Sequence, residues 1–267
     1  MIYKLLAIFL ISTSAYVFGP ITKYVRNFDS KLQDINVVEK TNLDMKNTTC
    51  IVFCTGGSSC MPSYIYSHLF DNIVSNDISI YAPSLNYQNK NELIETLDKE
   101  YNEVILAGHS SGATTAINYA KNKIVKKIIL IDPVDTRLFS KKYRNKKHDL
   151  KNLDRILFLN AEKSYKITYN PPGLAFIPFL AITPDILNLK KSCKIINMEA
   201  KNFGHADILD IPYCNLMHKS RLAVGNSNRT FENIEKYHNW IKDIFINFSR
   251  NKFSKLKKLT DIDHKFN

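Results

Sequence analysis

The chain has 267 residues, 45% of them hydrophobic and 23% charged, which excludes wholesale disorder and suits one large α/β or all-β domain. Its net charge of +12 is concentrated in runs such as "KNKIVKK", "KKYRNKKHDLKN" and "NKFSKLKK". No helix-turn-helix, finger or RNP-like pattern accompanies them, so they read as solvated faces and no nucleic-acid partner is expected.

Residues 1–19, "MIYKLLAIFLISTSAYVFG", carry an early lysine, an apolar stretch and then small residues. This is the order of a secretory signal peptide, and if uncleaved the segment would serve as a signal anchor. The stretch is short for a spanning helix, and a buried first strand or helix is the alternative. The expectation is therefore the secretory pathway, with the protein secreted or held at a membrane through its N-terminus. Five cysteines exclude a disulfide scaffold, although Cys193 and Cys214 could bridge in an oxidising compartment. Neither a Cys-x-x-Cys pair nor a Cys/His metal cluster is read from the spacing. The sequons at Asn47, Asn228 and Asn247 are no more than an Asn-rich chain produces by chance.

One domain is expected over residues 20–250, followed by a polar, basic and loose tail over 251–267. Short β-branched runs alternate with longer amphipathic ones, the pattern of β-α-β units around a mostly parallel sheet flanked by helices. In chain order the predicted strands are "CIVFC" (50–54), "ISIYA" (78–82), "EVILAG" (103–108), "VKKIILI" (125–131), "RILFLN" (155–160) and "KIINME" (194–199). Helices are predicted over "SYIYSHLFDNIV", "NELIETLDKEY" and "SGATTAINYAKN" between the first four strands. A last helix is predicted over "TFENIEKYHNWIKDIFINF", where Ile234, Tyr237, Ile241 and Phe245 recur at helical spacing. The apolar, proline-punctuated "PPGLAFIPFLAITP" (171–184) breaks this rhythm and reads as a lid, a pocket wall or core in a long connection.

Within "AGHSSGATTA" (107–116), Ser110 lies between Gly108 and Gly112. Eight glycines in the whole chain make a chance Gly-x-Ser-x-Gly match rare. The motif follows a predicted strand and opens a predicted helix, as the nucleophile elbow of α/β-hydrolases requires. A strained serine at such a turn has no room for side chains two residues to either side, and the two glycines remove them. The alternative is a serine that merely caps the helix.

A serine nucleophile needs a base, an acid that orients the base, and donors for the oxyanion. Of the downstream histidines only His205, in "NFGHADILD", follows a predicted strand in a glycine-bearing loop. His148 lies in a lysine run, and His238 and His264 lie in the terminal helix and tail. For the acid, Asp132 and Asp135 in "LIDPVD" and Glu162 in "LNAEK" all stand near carboxyl ends of predicted strands, where active-site groups gather. Backbone donors are expected at Ser111, directly after the nucleophile, and at Gly57 in "FCTGGSSC", with Gly56 making the turn.

With these segments together, the chain resembles the chlorophyllase branch of the α/β-hydrolases. The family's GHSRGG elbow reads "GHSSGA" here, its IDPV(D/A)G strand end reads "IDPVDT", and its GHMDMLDD histidine loop reads "GHADILD". The likeness spans roughly residues 50–245. It implies the α/β-hydrolase fold, a triad of Ser110, Asp132 and His205, and the choice of Asp132 over Glu162. The expected function is a serine esterase that acts on a lipophilic ester through an acyl-Ser110 intermediate, with no metal or organic cofactor; another lipase- or acyltransferase-type hydrolase, or a non-catalytic binding protein on the same fold, is the alternative. The chain departs from the family pattern at Ser111, Ala113 and Thr55-Gly56.

Overall fold

The computed structural model describes residues 35–38, 48–57, 59, 61–75, 77–83, 90–135, 147–165, 180–219, 230–257, 259 and 264–266. The leader (1–19), most of the apolar 171–184 segment and two of the sequons (Asn47, Asn228) fall outside them.

The strands are β1 (Ile35–Val38), β2 (Thr49–Cys54), β3 (Ile78–Pro83), β4 (Glu103–His109), β5 (Lys127–Ile131), β6 (His148–Asp149), β7 (Arg155–Ala161), β8 (Leu187–Asn188), β9 (Lys194–Ala200) and β10 (His264–Phe266). Eight of them form one sheet in the order β1-β3-β2-β4-β5-β7-β9-β10. The six predicted strands are its contiguous, parallel centre. Antiparallel β1 and β10, which the sequence did not announce, close its two edges. This is the α/β-hydrolase fold, a mostly parallel sheet flanked by helices.

Strands β2, β3, β4, β5 and β7 are apolar on both faces because both faces are covered, whereas β9 is only partly buried. Along β2, Ile51 and Phe53 enter one core while Cys50, Val52 and Cys54 enter the other, and β4 and β5 alternate in the same way. The first core is closed by α1 (Ser67–Ile73) and by the 19-residue α5 (Phe231–Ser249), whose Trp240, Ile241, Ile244, Phe245 and Phe248 are all fully buried. The second is closed by α2 (Lys90–Glu100) and α3 (Gly112–Tyr119). Thr230 caps α5, its side chain accepting from the Asn233 N–H.

The structure departs from expectation in three places. The helix expected over 63–74 opens as a 3-10 turn at Ser63–Tyr66 before becoming α1. A further helix, α4 (Ile211–Lys219), follows the histidine loop; its apolar spacing is weak and its second residue is Pro212, which a first turn accepts. The tail is also not loose throughout. In α6 (Phe253–Leu256) Leu256 is fully buried, Phe253 packs edge-on against Phe248, and the Arg155 guanidinium sits 4.3 Å from the Phe253 ring centroid. A few apolar residues in a basic run suffice to dock it.

Candidate active site

β4 delivers the serine. Ser110 sits at φ 56°, a left-handed conformation that costs about 1–3 kcal/mol for a residue other than glycine. It is held there because its N–H donates to the Ile131 carbonyl at 2.9 Å while its own carbonyl accepts from Ala113 and Val134. The flanking glycines are sterically required. A Cβ on Gly108 would lie 2.7 Å from Ala113 Cα, and one on Gly112 would lie 2.3 Å from the Cys54 and Thr55 carbonyl oxygens. The start of α3 therefore presses directly on the end of β2.

The candidate base and acid arrive from two other strand ends. His205, in the loop after β9, places Nε2 2.8 Å from Ser110 Oγ. Asp132, directly after β5, stands at φ 40° with Oδ2 3.8 Å from His205 Nδ1. That separation is too long for a hydrogen bond, and Nδ1 has no other partner among the described residues. The carboxylate is instead occupied by the Ala161 N–H on Oδ1 at 2.7 Å and the Ser164 hydroxyl on Oδ2 at 2.8 Å. Burial pushes the Asp132 carboxyl up to about 7; the two hydrogen bonds oppose this and the Asp207 charge adds to it. Burial also pulls the His205 imidazole down to about 4. Both shifts favour an uncharged pair at rest.

The other two acid candidates lie elsewhere. Asp135 pairs with His148 Nε2 at 3.0 Å, both side chains being wholly buried. His148 is thus no surface member of a lysine run: in β6 it turns inward between exposed Lys147 and Asp149. Glu162 accepts from the Asn202 N–H and faces Lys201. Residues 133–135 run beside 180–182, with Asp135 N–H on the Leu180 carbonyl and Ile182 N–H on that of Pro133. The described end of the 171–184 segment therefore borders the acid's strand end.

The two expected backbone donors lie on adjacent strand ends, because the β2–β4 register pairs Cys54 with Gly108. Ser111 flanks α3, and Gly57 is exposed in the turn after β2. The positive φ of 63° in that turn belongs to Gly57, not Gly56. Gly56 serves close approach, since a Cβ there would lie 2.7 Å from Met61 Sδ. Its N–H donates to the Tyr66 hydroxyl at 3.0 Å.

That bond begins a relay which the sequence did not reveal. Tyr66 Oη lies 2.8 Å from His109 Nδ1, and His109 Nε2 lies 3.0 Å from the His205 carbonyl. A carbonyl only accepts, so Nε2 carries the proton, Nδ1 accepts from the tyrosine, and the tyrosine oxygen accepts from Gly56. Every direction is fixed. Burial, the largest cause, and the neighbouring His205 hold His109 well below the usual imidazole range. The relay ties the glycine turn, the elbow and the histidine loop into one unit, and the two imidazole rings pack at 4.8 Å between centroids.

Behind the histidine loop, buried Asp207 accepts from the Gly204 N–H on Oδ2, and its Oδ1 meets Cys214 Sγ at 3.3 Å and His218 Nε2 at 3.0 Å. Its carbonyl accepts from His238 of α5. Cys214 and Cys193 are both free thiols, one in each core, so the sheet separates them and they do not bridge.

No family model and no curated protein matches the chain. Among solved structures it is similar to an arylesterase, at 14% identity and a TM-score of 0.46 over 91% of both chains. It is also similar to an S-formylglutathione hydrolase from Agrobacterium tumefaciens, at 10% identity and a TM-score of 0.39 over 73% of this chain and 90% of that one. For a thermostable esterase from Pseudomonas putida the values are 17% and 0.36, over 48% of this chain and 59% of that one. The chain thus spans about three fifths of that esterase's length. At such identities and scores the likenesses carry no argument about chemistry, which rests on the site itself.

Proposed function

We propose that the protein is a serine carboxylic-ester hydrolase. The reading rests above all on one observation: a serine held at positive φ on a strand-to-helix turn, with its hydroxyl 2.8 Å from a buried imidazole. His205 Nε2 takes the Ser110 proton as the oxygen attacks the ester carbonyl, and the Gly57 and Ser111 N–H groups receive the oxyanion. The tetrahedral intermediate collapses to an acyl-Ser110 ester as His205 returns the proton to the departing alcohol. Water, deprotonated by His205, then releases the acid. Asp132 orients the imidazole and balances its positive charge. For that it closes on Nδ1 by about 1 Å, in keeping with catalytic bonds that tighten on substrate binding.

The chlorophyllase-like motifs and the apolar 171–184 segment favour a lipophilic ester, and the leader favours the secretory pathway, with membrane association through the N-terminus. The test is covalent labelling by a fluorophosphonate probe, followed by hydrolysis of esters graded in chain length. We expect labelling that maps to Ser110, vanishes in Ser110→Ala, and is accompanied by faster turnover of long-chain than of acetyl esters. An unlabelled wild-type chain would remove the hydrolase reading; equal rates across the series would remove only the lipophilic one.

A further inference from the structure

Asp207, Cys214 and His218 present three different metal-ligating atoms that all lie within 4.8 Å of one another in the interior. We propose that they form a site for one divalent cation of the zinc class, distinct from the serine and its partners. Four features carry the assignment. The donor set of thiolate, imidazole and carboxylate selects a borderline ion such as Zn²⁺ over Ca²⁺ or Mg²⁺.

The spacing comes from a helix. Cys214 and His218 are four residues apart on α4, so their side chains share one face. That face meets the carboxylate of the preceding loop.

Two of the three separations are already close to those of a filled site, and the third lies within 4.8 Å. A tetrahedral ion bound at about 2.0–2.3 Å holds its ligand atoms roughly 3.3–3.6 Å apart. Asp207 Oδ1 stands 3.3 Å from Cys214 Sγ and 3.0 Å from His218 Nε2.

The carboxylate is also pre-oriented. Its other oxygen accepts from the Gly204 N–H at 2.9 Å, an outer-shell bond of the kind that aims metal ligands.

Loading the site releases the Cys214 thiol proton to solvent and moves the His218 proton from Nε2 to Nδ1. Two anionic ligands then balance one dication, and the buried cluster is neutral overall. The three protein ligands leave a fourth position for water. The ion would cross-link α4 to the loop that carries His205, two residues from Asp207, and so stiffen it.

The test uses the full chain, stripped with a chelator and titrated with Co²⁺, then with Zn²⁺ against a chromophoric chelator. We expect one ion per chain and a thiolate-to-cobalt charge-transfer band. Cys214→Ser should abolish the band, and His218→Gln, which keeps the thiol, should weaken zinc binding by about tenfold or more. Circular dichroism of both variants confirms that they fold. Absence of the band in the wild-type chain overturns the proposal. So does a band that persists in Cys214→Ser, since one of the other thiols would then be its source. Neither readout depends on esterase activity, so this proposal and the proposed function can fail separately.

Discussion

At the scale of single residues, Asp132 carries opposite demands. The proposed catalysis needs it ionised, yet burial raises it to about 7. A carboxyl whose folded value lies above its unfolded value stabilises the fold at low pH, and that contribution is lost as pH rises from about 4 through about 7. Two outcomes are expected. Ester hydrolysis should fall as pH drops below about 7, as Asp132 takes up a proton while His205, at about 4, remains neutral. Asp132→Asn, isosteric and uncharged, should lose nearly all turnover, as a misoriented base does, while raising the melting temperature at pH 8 and leaving it almost unchanged at pH 4. A pH–rate profile and melting scans at the two pH values check both. A variant that melts lower than wild type at pH 8 would contradict the assigned cost of the buried charge.

At the scale of elements, three loops have to agree to within a fraction of an ångström, and the relay from Gly56 through Tyr66 and His109 to the His205 carbonyl makes them agree. Tyr66→Phe keeps the ring that packs against Phe53 and Phe70 but removes the oxygen that both accepts and donates. It leaves the Gly56 N–H and His109 Nδ1 without that partner in a closed interior, a loss of about 1–3 kcal/mol of stability. The glycine turn and the histidine loop would then drift apart, so the expected kinetic signature is a lower kcat with KM little changed, read from steady-state kinetics on a soluble ester. A change confined to KM would place Tyr66 at the substrate rather than behind the turn. The elbow itself was legible in the sequence, because its glycines and serine are neighbours in the chain. The relay was not, because Tyr66 and His109 are 43 residues apart and a buried tyrosine reads as ordinary core.

At the scale of the whole molecule, α5 is the keystone of one core. Its fully buried Phe245 should cost about 3–5 kcal/mol when cut back to alanine. The chain's single tryptophan, Trp240, is buried in the same helix, so its emission reports the denaturant midpoint directly. A shift below about 1 kcal/mol would show that α5 adds little to the fold. Five strands of the parallel centre were legible because fully buried strands announce themselves as apolar runs, and the partly buried β9 was legible from its short β-branched run. The edge strands β1 and β10 were not: they are short, and edges carry no such run.

What the sequence determined by itself was local in origin: the order of strands and helices from periodicity, the strand-to-helix turn at Ser110 from its glycines, and the place of His205 in the loop after a strand. What only the tertiary structure decided was every pairing across the sheet. Asp135 went to His148 and Glu162 to the Asn202 backbone, while Asp132 was left facing His205 with the Ser164 hydroxyl and the Ala161 N–H bound to its oxygens. It also gathered Asp207, Cys214 and His218 at one point. The physical reason is that periodicity and turn chemistry act between neighbours in the chain. Which carboxylate meets which imidazole depends instead on strand register and on how far each strand end projects, and these are settled only when the sheet closes.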